Sequence, residues 1–404
     1  MDTLTHTLVG IAISRAGFKG KLPYATTALV IAANIPDIDL VAGWNGIGFL
    51  SMHRGMTHSL LAWVVFSVLI AWGLRRAAEY HYARQERKRR TAAAMAGPAA
   101  ARGGHGAAGP MAEEPPGGPS VRNVRMEEVW LQAAEQGGTG GELPAARPPL
   151  PGWGICLALG FVGVGSHWLL DLTTIYGIRL LWPFSQHWFA ADWMPSTDPW
   201  VWVILVLLLL APMTLGLVGN EIGARRRPHR RSAIVALVVV AGWIGMRGFY
   251  HARVVRLLAE TPVARQMPRQ VGAFPYAGSP GRWHTVVEVK GRYQLGMVDA
   301  TAANLLPPDL APLPPQQLFT PVETPQIALA KSTAAAQTFL QFARFPFVYT
   351  QRRDDGGETV LITDLRFKTA HQPPEMGLVI EEGPKMNIES TQLLWHGAAQ
   401  ALEQ

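Results

Sequence analysis

The chain has 404 residues, enough for two or three domains, and is 49% hydrophobic but only 16% charged, a low charge fraction for a soluble protein. Its one cysteine, Cys156, lies inside an apolar run, which excludes a disulfide framework and a cysteine-based zinc site and leaves His and carboxylate as the available metal ligands. The net charge of +7 does not mark a nucleic-acid partner, because the basic residues concentrate beside apolar segments, where they orient a membrane protein.

In chain order, the first two apolar segments, 4–13 and 25–35, are short and read as short spans, tilted helices or re-entrant pieces. Those at 56–74, 153–170, 200–218 and 233–246 approach the length that crosses hydrocarbon. No basic residue precedes Arg15 and no small-residue cleavage site follows, so a removable signal peptide is not expected. Arg15, Lys19 and Lys21 follow the first segment. Arg75, Arg76, Arg84 and the basic run 87–90 follow the third, and Arg225, Arg226, Arg227, Arg230 and Arg231 separate the fifth from the sixth. Placing all three groups in the cytoplasm satisfies the positive-inside rule with six crossings of a bacterial inner membrane.

Residues 78–151 are rich in Ala, Gly, Pro and Arg, and are expected to form a mostly disordered cytoplasmic linker with one short helix near 124–136. The outer loop 173–199 carries Trp182, Trp188 and Trp193, as suits a membrane interface. Beyond about residue 260 the pattern changes to strands at 283–289, 347–351 and 359–365, with Asp354-Asp355-Gly356-Gly357 as a hairpin turn and a helix over 327–343. The expected fold is mainly α. A polytopic helical membrane domain of about six segments, made of residues 1–77 and 152–255, precedes a small α+β domain, 260–404, on the outer side.

Ionisable groups stand at the ends of these apolar runs, where they are costly and usually retained for a task. They are His6, the pair Asp37 and Asp39, the pair His53 and His58, and His167 with Asp171. All of them fall on the outer side of the topology that the basic residues set. His167 and Asp171 are spaced i, i+4 and so share one helical face. Asp37 and Asp39 follow Pro36, which ends a helix at or before Ile35, and two close carboxylates in a loop repel unless a cation lies between them. His53 and His58 differ by five positions, so His53 is expected in the loop and His58 in the first turn of the third apolar segment, 56–74. Taken singly, each has a blander reading: His6 as an interfacial hydrogen-bonding residue, the aspartates as helix caps, His167 and Asp171 as a polar packing pair. His187, His229, His251, His284 and His371 read as structural or solvated.

Together the set offers four His and three Asp, all nitrogen or oxygen donors. This suits zinc, manganese or iron better than calcium, and the number of ligands is enough for two ions. Water activated on a divalent metal is a nucleophile near neutral pH, which favours hydrolysis, with Asp39 and Asp171 as candidate bases.

The stretches Met1-Asp2-Thr3-Leu4-Thr5-His6-Thr7, Pro36-Asp37-Ile38-Asp39, His53-Arg54-Gly55-Met56-Thr57-His58-Ser59 and His167-Trp168-Leu169-Leu170-Asp171 resemble the YdjM-like family of membrane-bound metal-dependent hydrolases. The resemblance covers roughly 1–77 and 152–250 in order. The later Arg282-Trp283-His284-Thr285-Val286-Val287-Glu288 and Asp364-Leu365-Arg366-Phe367 resemble the longer bacterial members with an extra C-terminal domain. The family is in turn similar to zinc-dependent phospholipase C and P1-type nucleases, whose His-x-x-x-Asp motif His167 and Asp171 match. The resemblance implies metal-ligand roles for His6, Asp37, Asp39, His53, His58, His167 and Asp171, with Asp192 and Asp198 as weaker candidates. The insertion at 78–151 departs from the family pattern. The function expected is metal-dependent hydrolysis of a phosphoester, lipid-linked because the site lies at the interface. The partners are the bilayer and that substrate, with no nucleic acid. The alternatives are a metal- or ion-binding membrane protein or transporter, and a structural protein whose metal staples helices together. Ligands clustered at segment ends rather than at mid-membrane favour the enzyme.

Overall fold

The computed structural model describes residues 1–20, 22–42, 46–102, 149–221, 230–302, 315–395 and 398–401. The expected helix at 124–136 and His229 lie outside these residues. Among the described residues, the N-terminal part carries the α-helices α1 (Thr3–Ile13), α2 (Ala25–Ala32), α3 (Ile47–Met52), α4 (Leu60–Arg102), α5 (Trp153–Leu172), α6 (Pro199–Glu221) and α7 (Arg230–Glu260), with a π-helical turn at Ser14–Phe18 after α1. Short 3₁₀ turns at Ile35–Ala42 and Met56–His58 interrupt the run. Among the described residues, three helical stretches are long and apolar enough to cross a membrane: Leu60–Thr91, Trp153–Leu172 and Arg230–Glu260. With 11 and 8 residues, α1 and α2 extend only about 17 and 12 Å at ~1.5 Å per residue, well short of a bilayer core.

The chain divides into two compact units, one made of Met1–Leu74 and Gly152–Gln404 and the other of Arg75–Pro151. Within the second unit, α4 continues to Arg102, so residues 78–102 are helical where a disordered linker was expected. The reason lies in local composition: residues 78–96 are rich in Ala and Arg, good helix formers, and apart from Gly97 and Pro98 the Gly and Pro that suggested disorder come after Arg102.

In the first unit, small residues let the helices approach closely. A side chain at Gly163 of α5 would meet Ala32 of α2 at 2.5 Å, and one at Gly160 would meet the Ser67 carbonyl of α4 at 2.5 Å. Such contacts dominate helix association where no water is displaced. Two apolar cores follow, one around Leu29, Leu74, Cys156 and Leu159, the other around Ala12, Met194, Leu205, Leu209 and Ala236.

The C-terminal part contains two antiparallel sheets. One runs β1 (Gln270–Pro275), β2 (Arg282–Val289), β3 (Arg292–Asp299) and β4 (Gln316–Phe319). The other runs β5 (Pro346–Arg352), β6 (Glu358–Asp364), β7 (Met376–Glu382), β8 (Ile388–Trp395) and β9 (Ala398–Ala401). The β5–β6 hairpin closes at the expected turn, where Gly356 has φ +85° and Asp355 accepts from the Gly357 amide at 2.9 Å. The helix expected over 327–343 is two helices, α8 (Pro325–Ser332) and α9 (Ala334–Phe342). Thr333 breaks it by taking an extended conformation and capping α9 through its hydroxyl.

The C-terminal core reaches back to the N-terminal part. Leu50, Tyr176 and Trp188 pack with Phe339, Phe342, Val360 and Leu378. Arg247 of α7 donates to the Ser279 carbonyl at 2.8 Å and lies 5.0 Å over the Trp283 ring.

Candidate metal centre

The site is assembled at the ends of helices, from side chains whose partners fix them one by one. His167 and Asp171 sit one turn apart on α5, both fully buried. His167 Nδ1 lies 2.8 Å from the Ala33 carbonyl. A carbonyl only accepts, so Nδ1 carries the proton and Nε2 presents a lone pair. His58 ends the 3₁₀ turn before α4, and its Nδ1 lies 2.9 Å from the Thr57 hydroxyl. That hydroxyl donates to Asp39 Oδ2 at 2.9 Å, so it accepts from His58, whose Nε2 is also left as a lone pair. The two Nε2 atoms are 3.0 Å apart. Asp171 Oδ2 lies 3.3 and 3.4 Å from them, and Asp37 Oδ1 3.4 and 3.6 Å.

Two lone pairs and two carboxylates converging in a buried space repel one another unless a cation stands among them. The donor set therefore fits a divalent metal. Among the described residues, Asp37, His58, His167 and Asp171 form one group with metal-binding geometry, and Asp37, Asp39 and His53 form a second. Asp37 belongs to both. In the second group His53 Nδ1 lies 3.1 Å from Asp39 Oδ1. Burial pushes the His53 imidazole below its ordinary range despite the pull of Asp39, so it is neutral and fit to ligate. Burial opposes ionisation of Asp39, but the hydrogen bonds from His53 and the Thr57 hydroxyl hold its carboxyl below the usual range.

Six of the seven residues read from the sequence thus fall into the two groups. His6 stands beside them: its ring stacks on His167 at 3.9 Å between centroids, and its Nε2 is 3.4 Å from Asp171 Oδ1. Both its ring nitrogens lack hydrogen bonds among the described residues, as does Asp171 Oδ2. The α-amino group of Met1 also donates to Asp171. Asp192 and Asp198 are not part of the site. Asp192 receives Arg344 at 2.5 and 2.7 Å, and Asp198 caps α6 through the Trp200 amide at 2.9 Å. His251 packs against Trp283, and His284 bonds the Leu365 carbonyl at 3.0 Å, both structural positions.

Sequence reading missed Thr57, Arg54 and Tyr176. Arg54 donates to Asp171 Oδ1 at 3.3 Å and to Thr174 at 3.2 Å, and it lies 4.9 Å from the Tyr176 ring centre. Adjacency to His53 and His58 was the available signal for Arg54 and Thr57, while Tyr176 carried none. Gly55, next to Arg54, leaves room for the Arg179 guanidinium, which a side chain at this position would meet at 2.4 Å and have to displace.

The family model described as YdjM inner membrane protein matches residues 1–254, and the chain belongs to that family. Neither a curated protein nor a solved structure matches it.

Proposed function

We propose that this member of the YdjM inner membrane protein family is a metal-dependent hydrolase that cleaves a phosphoester, carried by a lipid, at the outer face of the membrane. The observation that carries the reading is the pair of unprotonated Nε2 atoms of His58 and His167 facing Asp37 and Asp171. Zinc is the ion this donor set favours, with manganese or iron next, and Asp37 in both groups suits two ions. A bound divalent metal would supply Lewis acidity and lower the pKa of water. Hydrolysis forms one P–O bond to water and breaks the ester P–O bond, so the attacking water must lose a proton. Asp171, whose Oδ2 makes no hydrogen bond among the described residues, would take that proton where it does not itself hold the metal, and the proton passes on to the departing ester oxygen. Asp39 is the poorer base, because His53, Thr57 and the Arg54 amide already engage its oxygens.

The lipid assignment rests on the rim. Ile38 and Leu40, which alternate with the buried Asp37 and Asp39, are 55% and 46% exposed, and Met52 and Met56, which flank His53 in the chain, are exposed as well. Apolar side chains flanking buried acids suit an amphiphile held at the interface. With α1 and α2 too short to span the core, four crossings by α4, α5, α6 and α7 would put Arg75, Arg76 and Arg230 in the cytoplasm and every candidate ligand, with the C-terminal part, outside.

A second reading, metal binding without hydrolysis, draws on the complete burial of His58, His167 and Asp171, because closed sites are typical of structural metals. Metal analysis of the purified protein, followed by a screen of lipid phosphoesters, separates the two. The expected result is bound zinc and metal-dependent release of phosphate or of a phosphorylated headgroup. A stoichiometric metal whose removal unfolds the protein, with no substrate turned over, would favour the structural reading.

A further inference from the structure

We propose that Arg54 is the oxyanion receptor of this centre, its guanidinium gripping the phosphoryl group of the substrate. The proposal rests on the hydrolase reading for its substrate class. Its own support begins with the backbone. Arg54 has φ +55°, in the left-handed region that glycine or asparagine enters readily and other residues enter at a cost. The Asp39 carboxylate, accepting from the Arg54 amide at 3.3 Å, and the Arg179 amide, donating to the Arg54 carbonyl at 2.8 Å, hold that backbone and with it the start of the side chain.

The side chain lies where an arriving anion would pass. The side chains of His6, His58, His167 and Asp171 have no exposed surface, whereas Asp37, His53 and Arg54 keep 9%, 8% and 7%. The approach to the centre therefore runs along the edge that Arg54 shares with Asp37 and His53. The guanidinium lies against the Tyr176 ring and uses its terminal nitrogens on Asp171, Thr174 and the Gly177 carbonyl, while Nε makes no hydrogen bond among the described residues. A buried donor left over beside a metal-ligand cluster is unusual and points to a ligand atom. Two divalent ions would outweigh the three carboxylates, and Arg54 adds to that surplus, so the loaded centre would select an anion. A planar fork matches phosphoryl oxygens in two-point contact.

Arg54 could instead serve only as counter-charge to Asp171. In that case Arg54→Gln would tighten metal binding, because a competing cation is gone, and leave anion affinity unchanged. The test uses the full-length protein in detergent, with and without zinc, titrated with inorganic phosphate. Wild type is expected to bind phosphate when zinc-loaded, Arg54→Gln to bind it ~tenfold or more weakly at equal zinc content, and Arg54→Lys to fall between. A parallel titration with a short-chain phosphatidate identifies the source. Arg54-dependent binding tighter than that of phosphate marks a lipid headgroup, and equal binding marks the free anion. Equal phosphate affinity in wild type and Arg54→Gln overturns the proposal, and so does a zinc-loaded wild type that binds neither anion. Should Arg54→Gln fail to fold, unchanged phosphate affinity in Arg54→Lys overturns it equally. Arg54-dependent phosphate binding without turnover of any phosphoester would sink the hydrolase reading and leave the receptor standing.

Discussion

Thr57 decides which nitrogen of His58 carries its proton, and through that choice it decides whether the centre has two lone pairs or one. Replacing the hydroxyl by a methyl group removes the acceptor that holds Nδ1–H. Thr57→Val is therefore expected to lower zinc affinity by roughly 10–100-fold, as loss of a supporting hydrogen bond to a metal ligand does. Competition with a chromophoric chelator, at unchanged folded yield, measures this. An unaltered affinity would show that the tautomer is set in another way. The candidate ligands that the fold brings together stood out in the sequence because each is a costly group at the end of an apolar run. For His167 and Asp171 the helical period alone places them together. Arg54 and Thr57 were not legible. A positive φ leaves no mark on an arginine, and a threonine beside a histidine is common, so only three-dimensional placement reveals their roles.

At the level of elements, what brings the ligands together is the absence of side chains on α5. Gly160 and Gly163 let it lie against α4 and α2, and this sets His167 beside His58 and the Ala33 carbonyl. Gly160→Val would drive a methyl group into the Ser67 carbonyl. The expected cost is about 1–3 kcal/mol, the range for overpacking, together with weaker metal binding as His167 moves from His58. Thermal unfolding in detergent, run beside a zinc titration, checks both. Full stability with normal zinc affinity would mean that the helices can part without consequence. Sequence reading found the long apolar helices and the β5–β6 hairpin, because period and turn chemistry are local signals. It merged α8 with α9, because the break at Thr333 depends on a cap and not on a Gly or Pro. It also ended α4 too early, by weighing the composition of a long stretch over that of its first turns.

Across the whole molecule, the C-terminal sheets carry buried polar groups that tie stability to pH. Burial pushes the His284 imidazole down to about 4, from an ordinary value of 6.5. A base whose folded value is depressed contributes stability that is complete above about 6.5 and is lost as pH falls toward about 4, on the order of 3 kcal/mol in all. Wild type should therefore unfold at progressively lower temperature over that window, and His284→Gln should show a flatter profile. Parallel profiles for the two proteins would remove His284 as the cause. Tyr176 gives this part of the chain a longer reach. Its ring contacts Phe342 of α9 at 4.9 Å on one side and the Arg54 guanidinium at 4.9 Å on the other, while Arg344 and Arg366 hold the neighbouring Ile175 carbonyl at 3.2 and 2.9 Å. The residues beyond the family match thus share a wall with the candidate metal centre inside it. Thermodynamic coupling is reciprocal. Whatever an anion gains from finding Arg54 already in place, the folded C-terminal part gains in resistance to opening when that anion is bound. Occupancy at the membrane face would then be readable as slower hydrogen exchange in strands that never touch the ligand.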